Sequence, residues 1–222
     1  MPAACYHLRA GSASPGFFRS VPRSTRMSSS PASANRRRHV HTRAIRVDAY
    51  VRDDGLWDLE AVLTDTKSRD FSLATGVRRA GEPVHEMRLT LTIDTKLNVV
   101  DVQARSDATP YPGHCDTIAA DYRKLIGLNL LQNFRRHVRE RLGGTLGCSH
   151  LTELANVLPT AAIQAFAGEV FKPSDTAHED HRQVQQKPWQ LDRCHALKSD
   201  GPAVARYYPR WYRPAHETQQ SN

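Results

Sequence analysis

Long apolar runs are absent from this 222-residue chain. No stretch approaches the ~20 consecutive apolar residues that a membrane-spanning helix needs, so the sequence predicts no association with a membrane. The P-loop, the Rossmann fingerprint, the Gly-x-Ser-x-Gly elbow and the His-Glu-x-x-His helix are also missing. The nucleotide and hydrolase chemistries that depend on those motifs are therefore unsupported.

Acidic residues are missing from residues 1–45, which contain eight arginines, at positions 9, 19, 23, 26, 36, 37, 38 and 43. These arginines account for the whole net charge of +8, because the other 23 basic residues are matched by 23 acidic ones. A folded body without net charge lacks the broad basic face that phosphate binding requires. We therefore expect no specific nucleic-acid partner.

Cysteine is scarce, with four residues in the chain, of which Cys5 lies in the N-terminal tail. The other three are an odd number, which is a poor basis for a disulfide framework, and no secretory signal precedes them. These features predict a reducing, cytoplasmic location in which the thiols are free or bound to metal.

Composition divides the chain into three parts. Residues 1–40 are rich in Ser, Pro, Ala and Arg without a hydrophobic period, which predicts a disordered basic extension. Its composition also fits an organellar transit peptide, although we favour a natural start at Met27 with translated upstream sequence before it. We expect one folded domain over residues 41–213 and a disordered C-terminus over residues 214–222.

The first half of the folded part has the period of strands. Apolar and polar residues alternate in four segments, which predict strands near residues 45–51, 57–63, 87–93 and 100–104. Asp53-Asp54-Gly55 has the composition of a hairpin turn, and residues 65–82 are predicted to be a loop. Two hairpins in succession predict one antiparallel sheet with a single buried face.

After Pro112 the period becomes helical and predicts three helices, with a fourth over residues 161–167 after Pro159 interrupts the third. Helices must bury their apolar stripes, and the sheet has one face to offer. The predicted fold class is therefore α+β: an antiparallel four-stranded sheet followed by three or four helices packed on one face. An aromatic C-terminal tail, residues 189–212, should pack back on this domain.

Three cysteines lie beside histidines at turns or predicted helix starts. Residues 143–147 contain three glycines, which let the backbone turn tightly before Cys148-Ser149-His150 opens a helix. The unpaired N–H groups and the dipole at a helix start favour a thiolate, the form of cysteine that binds metal or attacks. His114-Cys115 and Cys194-His195 offer the same chemistry.

Two functional hypotheses fit these residues, and both stay open. The first is a metal- or iron–sulfur-binding scaffold or accessory protein, because zinc prefers a tetrahedral sulfur and nitrogen shell and iron–sulfur clusters use thiolates. Its predicted ligands are Cys115, Cys148, His150, Cys194 and His195. The second is a thiol-dependent enzyme acting on a small acyl or aromatic substrate, with Cys148 as nucleophile and His150 or His195 as base.

Three further interpretations stay open beside these. Cys148 and His150 equally fit a buried cysteine and a capping histidine without chemistry. His85, beside Glu86 at a predicted strand edge, could supply a fourth ligand or a base. The aromatic residues 207–212 would suit a module that binds a protein partner.

As a set, three motifs resemble a bacterial family known only as domain of unknown function 2889. They are Asp54-Gly55-Leu56-Trp57-Asp58-Leu59-Glu60, Gly143-Gly144-Thr145 with Gly147-Cys148-Ser149-His150-Leu151, and Asp192-Arg193-Cys194-His195-Ala196-Leu197 with Tyr208-Pro209-Arg210-Trp211. The resemblance covers about residues 41–213. It implies that this segment is the family's single domain, and it brings no established activity.

Two shorter features are similar to iron–sulfur scaffolds of the NifU/IscU type. Cys148-Ser149-His150-Leu151 matches their Cys-Ser-x-Leu helix start, and Cys115 follows the last strand as one of their cysteines does. The first cysteine of those scaffolds has no counterpart between His41 and His114. The likeness therefore implies that a histidine or carboxylate fills that place, or that cluster assembly has been lost.

Overall fold

A computed structural model describes residues 36–171 and 187–214 of the chain. Most of the predicted N-terminal extension lies outside these ranges, since only its residues 36–40 are described. The same holds for the predicted C-terminus beyond residue 214 and for residues 172–186 of the polar stretch 172–188. The described residues from His39 onward belong to one compact unit. Within them, no helix combines the length and the apolar character that crossing a bilayer would require.

The described part of the chain contains six strands: β1 His41–Val51, β2 Trp57–Lys67, β3 Phe71–Leu73, β4 Gly76–Arg78, β5 Pro83–Ile93 and β6 Val99–Ala108. The four long strands form one antiparallel sheet in the order β1–β2–β5–β6, which confirms the predicted sheet. Residues 65–82, predicted to be a loop, instead contain the end of β2 and the small hairpin β3–β4. Strands of three residues are too short to show an alternating period, so the sequence pattern missed them.

The helices follow the sheet: α1 Phe134–Leu142, α2 Ser149–Phe166 and α3 Pro202–Tyr207, with 3₁₀ turns at Thr117–Leu125, Gly144–Leu146, His195–Leu197 and Pro209–Trp211. Helices from residues 117 to 166 cover one face of the sheet, called here the inner face. Leu59, Leu89 and Leu154 are fully buried in this core, and the rings of Trp57 and Phe166 lie 4.7 Å apart. The arrangement confirms the α+β fold class.

Pro159 lies inside α2 and does not divide it into two helices as we expected. Proline removes one backbone hydrogen bond from a helix. Leu158, Ala162 and Phe166 lie on the buried stripe of α2 and are each 0% exposed. Packing of an apolar stripe, which stabilises most helices in proteins, offsets the lost bond here and carries the helix past the proline.

The C-terminal segment packs as predicted, by apolar contacts. Trp189 lies against Phe171 with 5.0 Å between ring centroids, and Leu191 and Val204 are buried. Tyr207 is exposed.

The glycines before α2 have two different physical roles. Gly144 adopts φ +58°, which a side chain disfavours. Gly147 is extended, but a Cβ atom there would lie 2.3 Å from the carbonyl oxygen of Leu142. Gly147 is therefore needed because two backbone segments approach each other closely there, immediately before Cys148.

We expect Gly147→Ala to lower the free energy of unfolding by roughly 1–3 kcal/mol, because the atom that a Cβ would strike is rigid backbone. Leu146→Ala, at the exposed neighbouring position, should change it by less than about 0.5 kcal/mol. Urea unfolding of the two variants beside the wild type measures both values. Equal stability of the two variants would contradict the close approach.

Candidate functional site

Cys148 is fixed in place by a buried tyrosine. The Cys148 N–H donates to the Tyr122 hydroxyl oxygen at 3.1 Å. The same hydroxyl lies 2.8 Å from both the Cys148 carbonyl oxygen and Thr152 Oγ1. Tyr122 is 0% exposed, and burial raises its pKa to about 12, so the hydroxyl stays neutral. These bonds hold the backbone of Cys148 at the position from which α2 begins.

The Cys148 thiol lies beside the imidazole of His150, with 3.8 Å between Sγ and Nδ1. Residues two apart on a helix do not face each other, so a joint role required that this turn not yet be helical. Cys148 has the extended angles φ −94° and ψ 128°, and the helix starts at Ser149. The thiol and the ring therefore meet just ahead of the first helical turn.

The other ring nitrogen of His150 faces a carboxylate. His150 Nε2 lies 3.4 Å from Asp65 Oδ2, at the end of β2. The thiol, the imidazole and the carboxylate thus lie next to one another in space in that order, as do the nucleophile, the base and the orienting acid of catalytic triads. A proton on Nε2 that faces Asp65 leaves the Nδ1 lone pair directed at the thiol.

The surroundings of Cys148 favour its thiolate. Burial raises the pKa of the thiol, but hydrogen bonds from the His150 ring and from the backbone N–H groups of Leu151 and His150 lower it. The net direction is downward, and the positive charge of His150 contributes to it. This is the helix-start effect that the sequence predicted, strengthened by a histidine.

Asp65 is a buried carboxylate, 4% exposed, surrounded by cationic and imidazole groups. Arg43 of β1 donates to both of its oxygens, from Nε to Oδ1 at 2.8 Å and from Nη2 to Oδ2 at 2.8 Å. His41 Nε2 lies 2.9 Å from Oδ1, and His85 Nδ1 lies 3.2 Å from Oδ2. Burial raises the pKa of Asp65, but the bonds from Arg43 and His41 outweigh burial and hold that pKa well below its usual range.

Arg43 also joins the sheet to the helix that carries Cys148. Its Nη1 donates to Glu153 Oε2 of α2 at 2.6 Å. One guanidinium therefore connects the carboxylate of β2 with the first turn of α2.

His85 of β5 stacks on the His150 ring, with 3.9 Å between centroids and 29° between planes. Burial lowers the pKa of His85, and the charge of His150 lowers it further, against the opposing effect of Asp65. His85 is therefore neutral near pH 7. Its stacked ring restricts the orientation of the His150 ring plane.

A cavity of about 460 Å³ opens at this group, and Cys148, His150 and His85 lie in its wall. His114 and Cys115 line it as well. The remaining wall includes the apolar and aromatic residues Met87, Tyr111 and Ile118. A volume of this size and a mixed lining are typical of sites for small molecules.

Three side chains around Asp65 also fit a candidate metal centre. Ligand atoms of Asp65, His85 and His150 lie within 4.8 Å of one another, and this group is found among the described residues. However, both Asp65 oxygens already accept hydrogen bonds from Arg43, and a guanidinium repels a cation at that carboxylate. The geometry therefore suits proton transfer better than cation binding.

The structure brings together some of the predicted site residues and leaves others apart. Cys115, Cys148 and His150 line the same cavity. Cys194 is exposed, as is His195, and neither lies in the lining of this cavity. The structure therefore does not place Cys194 and His195 in the cavity that the other two cysteines line, and the 3₁₀ turn that carries them packs against α3.

Sequence reasoning missed Asp65 as a partner of the thiol, along with His41 and Arg43. Their strands precede Cys148 by more than 80 residues, and no motif joins them to it. The available signal was local: a polar residue, Asp65, continues the inward-facing row of β2 after Leu59, Ala61 and Leu63. A carboxylate on a buried row calls for a partner, which here is Arg43.

A family model described as protein of unknown function (DUF2889) matches residues 41–164, more than half of the chain, and the chain belongs to this family. The match confirms the resemblance carried by the first two motifs and contains Asp65, His85, Cys115, Cys148 and His150. It ends before the third motif and Cys194. No curated protein and no solved structure matches the chain significantly. Membership in this family assigns no activity.

The pH dependence of Cys148 alkylation tests the thiol–imidazole contact. We expect iodoacetamide to react with Cys148 at a pH below the ~8.5 midpoint of an ordinary thiol, because the thiolate is stabilised. His150→Asn should move that midpoint upward, since it removes the ring charge and its hydrogen bond. Peptide mapping by mass spectrometry follows Cys148 and the exposed Cys194 together, with Cys194 as the internal reference. An unchanged midpoint in the variant would contradict the contact.

Acid unfolding tests the state of Asp65. Since its pKa is lowered in the folded protein, Asp65 stabilises the fold above about pH 4, and this contribution is lost as the pH falls below that value. We expect Asp65→Asn to lower the free energy of unfolding at pH 7 by about 1–3 kcal/mol and to make its decline in acid shallower. Exposed Asp53→Asn should behave like the wild type. Urea unfolding at neutral and acid pH measures the difference, and parallel declines in all three chains would refute it.

Proposed function

We propose that this member of the DUF2889 family is a thiol-dependent enzyme that acts on a small acyl or aromatic substrate through a covalent intermediate on Cys148. One observation carries the proposal: Cys148 Sγ, the His150 ring and the buried Asp65 carboxylate lie next to one another in that order, and Cys148 and His150 line one cavity. Each member is held by other parts of the fold, which is what a catalytic group requires.

The chemistry follows from the three groups. The Cys148 thiolate attacks the carbonyl carbon of the substrate, and the electron pair of the C=O bond moves to oxygen. As the tetrahedral intermediate collapses, the leaving group takes its proton from the His150 imidazolium and an acyl–cysteine remains. His150 then removes a proton from water or another acceptor, which attacks the acyl group and releases the Cys148 thiolate.

Asp65 acts on His150 and not on the substrate. Its charge stabilises the imidazolium, and its Oδ2 orients the ring so that Nδ1 faces the sulfur. Of the backbone N–H groups of residues 147–149 that could form an oxyanion hole beside the thiol, the Cys148 N–H already donates to Tyr122. The other two N–H groups of those residues are the candidates for this role.

The cavity supports the substrate class. Met87, Tyr111 and Ile118 favour an apolar or aromatic group, and His114 and Thr117 offer polar contacts beside it. Its volume of about 460 Å³ suits a small molecule.

Acyl transfer from an activated aryl ester tests the proposal. We expect the wild type to release the phenol in a burst and to carry one acyl group on Cys148, detected by intact mass and peptide mapping. Cys148→Ser should abolish the burst, and His150→Asn should slow it by roughly 10²–10⁴-fold, the range for a lost acid–base group. Cys194→Ser serves as the control and should react like the wild type. An acyl group that forms equally well in Cys148→Ser would refute the proposal.

A metal or iron–sulfur site is the second candidate, favoured by the 4.8 Å grouping of ligand atoms from Asp65, His85 and His150. Cys115 and Cys148 on the same cavity are the predicted thiol ligands that remain close to it. In the likeness to NifU/IscU-type scaffolds, Asp65 or His85 would fill the place of the missing first cysteine. Anaerobic purification followed by metal analysis tests this function, with a ligand-to-metal absorption band as the positive result. If chelator treatment leaves Cys148 alkylation unchanged, ligation by that thiol is excluded.

A further inference from the structure

Strand β1 forms one edge of the main sheet and is exposed along its length. It pairs with β2 on one side, and no other strand of residues 36–171 and 187–214 pairs with its second side. All eleven residues are exposed or only half-buried. A long edge strand offers a row of unpaired N–H and C=O groups to any other strand.

The inner face of β1 is apolar but is not covered as its neighbours are. Ile45, Val47, Ala49 and Val51 lie opposite Leu63, Ala61, Leu59 and Trp57 of β2 and so share their face. The residues of β2 are buried, whereas Ile45 is 37% exposed and Val51 is 61% exposed. The apolar row on β1 thus extends the apolar inner face of the sheet past the edge of the helices that cover this face.

Several of the usual protections of an edge strand are missing from β1, and its inward-facing charge, Arg43, is already paired with Asp65. The strand contains no proline and no lysine, and its register with β2 runs without a bulge over all eleven residues. Its outward-facing charges are Arg46 and Asp48, which are opposite in sign and bonded to each other at 2.7 Å. The edge therefore carries no net repulsion toward a second copy of itself.

We infer that β1 pairs antiparallel with β1 of a second copy of this chain, about a two-fold axis at Val47, to form a continuous eight-stranded sheet. In this register Arg46 lies opposite the partner's Asp48, and Asp48 lies opposite the partner's Arg46, on the outer face. Residues 43–51 of each copy overlap, and Ile45 lies opposite the partner's Ala49 on the inner face. Shifting the axis to Arg46 or Asp48 would place like charges directly opposite each other.

The pairing does not depend on the proposed enzymatic activity. It uses the free edge and the outer charges of β1, whereas His41 and Arg43 reach Asp65 at the beginning of the strand. Failure of one proposal therefore leaves the other standing. The proposed pairing rests on Arg46 and Asp48, whose charges complement those of a second copy, and on their place in an apolar edge strand without proline, lysine or a bulge.

Charge reversal on the full chain tests the pairing, with mass in solution measured by sedimentation velocity over a range of concentrations. We expect a dimer for the wild type. Arg46→Glu should place two acidic pairs across the axis and Asp48→Lys two basic pairs, and each should raise the dimer dissociation constant by about tenfold or more. The double variant Arg46→Glu/Asp48→Lys restores complementary pairs and should restore the dimer. Arg46 and Asp48 are exposed or half-buried, so these changes leave the core intact.

The matched control lies on the opposite edge of the sheet, where Arg105 and Asp107 of β6 form a similar pair at 2.7 Å. Arg105→Glu should leave the dimer unchanged. A monomeric wild type would overturn the inference, including the case in which another segment of this chain covers β1. Single reversals without effect, or a double reversal that fails to restore the dimer, would overturn it as well.

Discussion

The buried carboxylate of Asp65 is the constraint on which the site depends. A charge in a position that is 4% exposed is costly unless it is paired and hydrogen-bonded. Arg43 meets both oxygens, and His41, His85 and His150 complete the group. These partners come from β1, β5 and α2, while Asp65 itself belongs to β2. One buried charge is thus neutralised by groups from three different elements, which the strand pairing and the apolar core bring together.

The surroundings of the thiol depend on that constraint. Asp65 orients the His150 ring, His85 stacks against it, and His150 in turn lowers the pKa of Cys148. On the other side, Tyr122 and the close approach at Gly147 fix the backbone from which the thiol projects. Cys148 is therefore held from two directions, by an ion network and by a core hydrogen bond.

The sequence was sufficient to predict what depends on periodicity. Alternation identified the four long strands, and the helical period identified the segments that cover them, because the apolar faces are continuous. The three-residue strands β3 and β4 carry no period, and the burial of Leu158 and Phe166 overrode the local signal of Pro159. Local chemistry also located Cys148 and His150. It could not supply Asp65, because a contact between β2 and α2 is created only by the fold. It also joined Cys194 to the other cysteines, whereas Cys194 is exposed and does not line their cavity, because the type of two adjacent residues carries no information about distance.

The most direct test of the account is whether Asp65 controls the thiol that it does not touch. In a chain with Cys5, Cys115 and Cys194 replaced by serine, the ultraviolet absorbance of the thiolate reports the ionisation of Cys148 alone. The account predicts a midpoint below the ~8.5 of a free thiol and an upward shift in Asp65→Asn, since the imidazolium loses its stabilising charge. An identical midpoint in the two chains, with the fold intact in both, would contradict the coupling through His150.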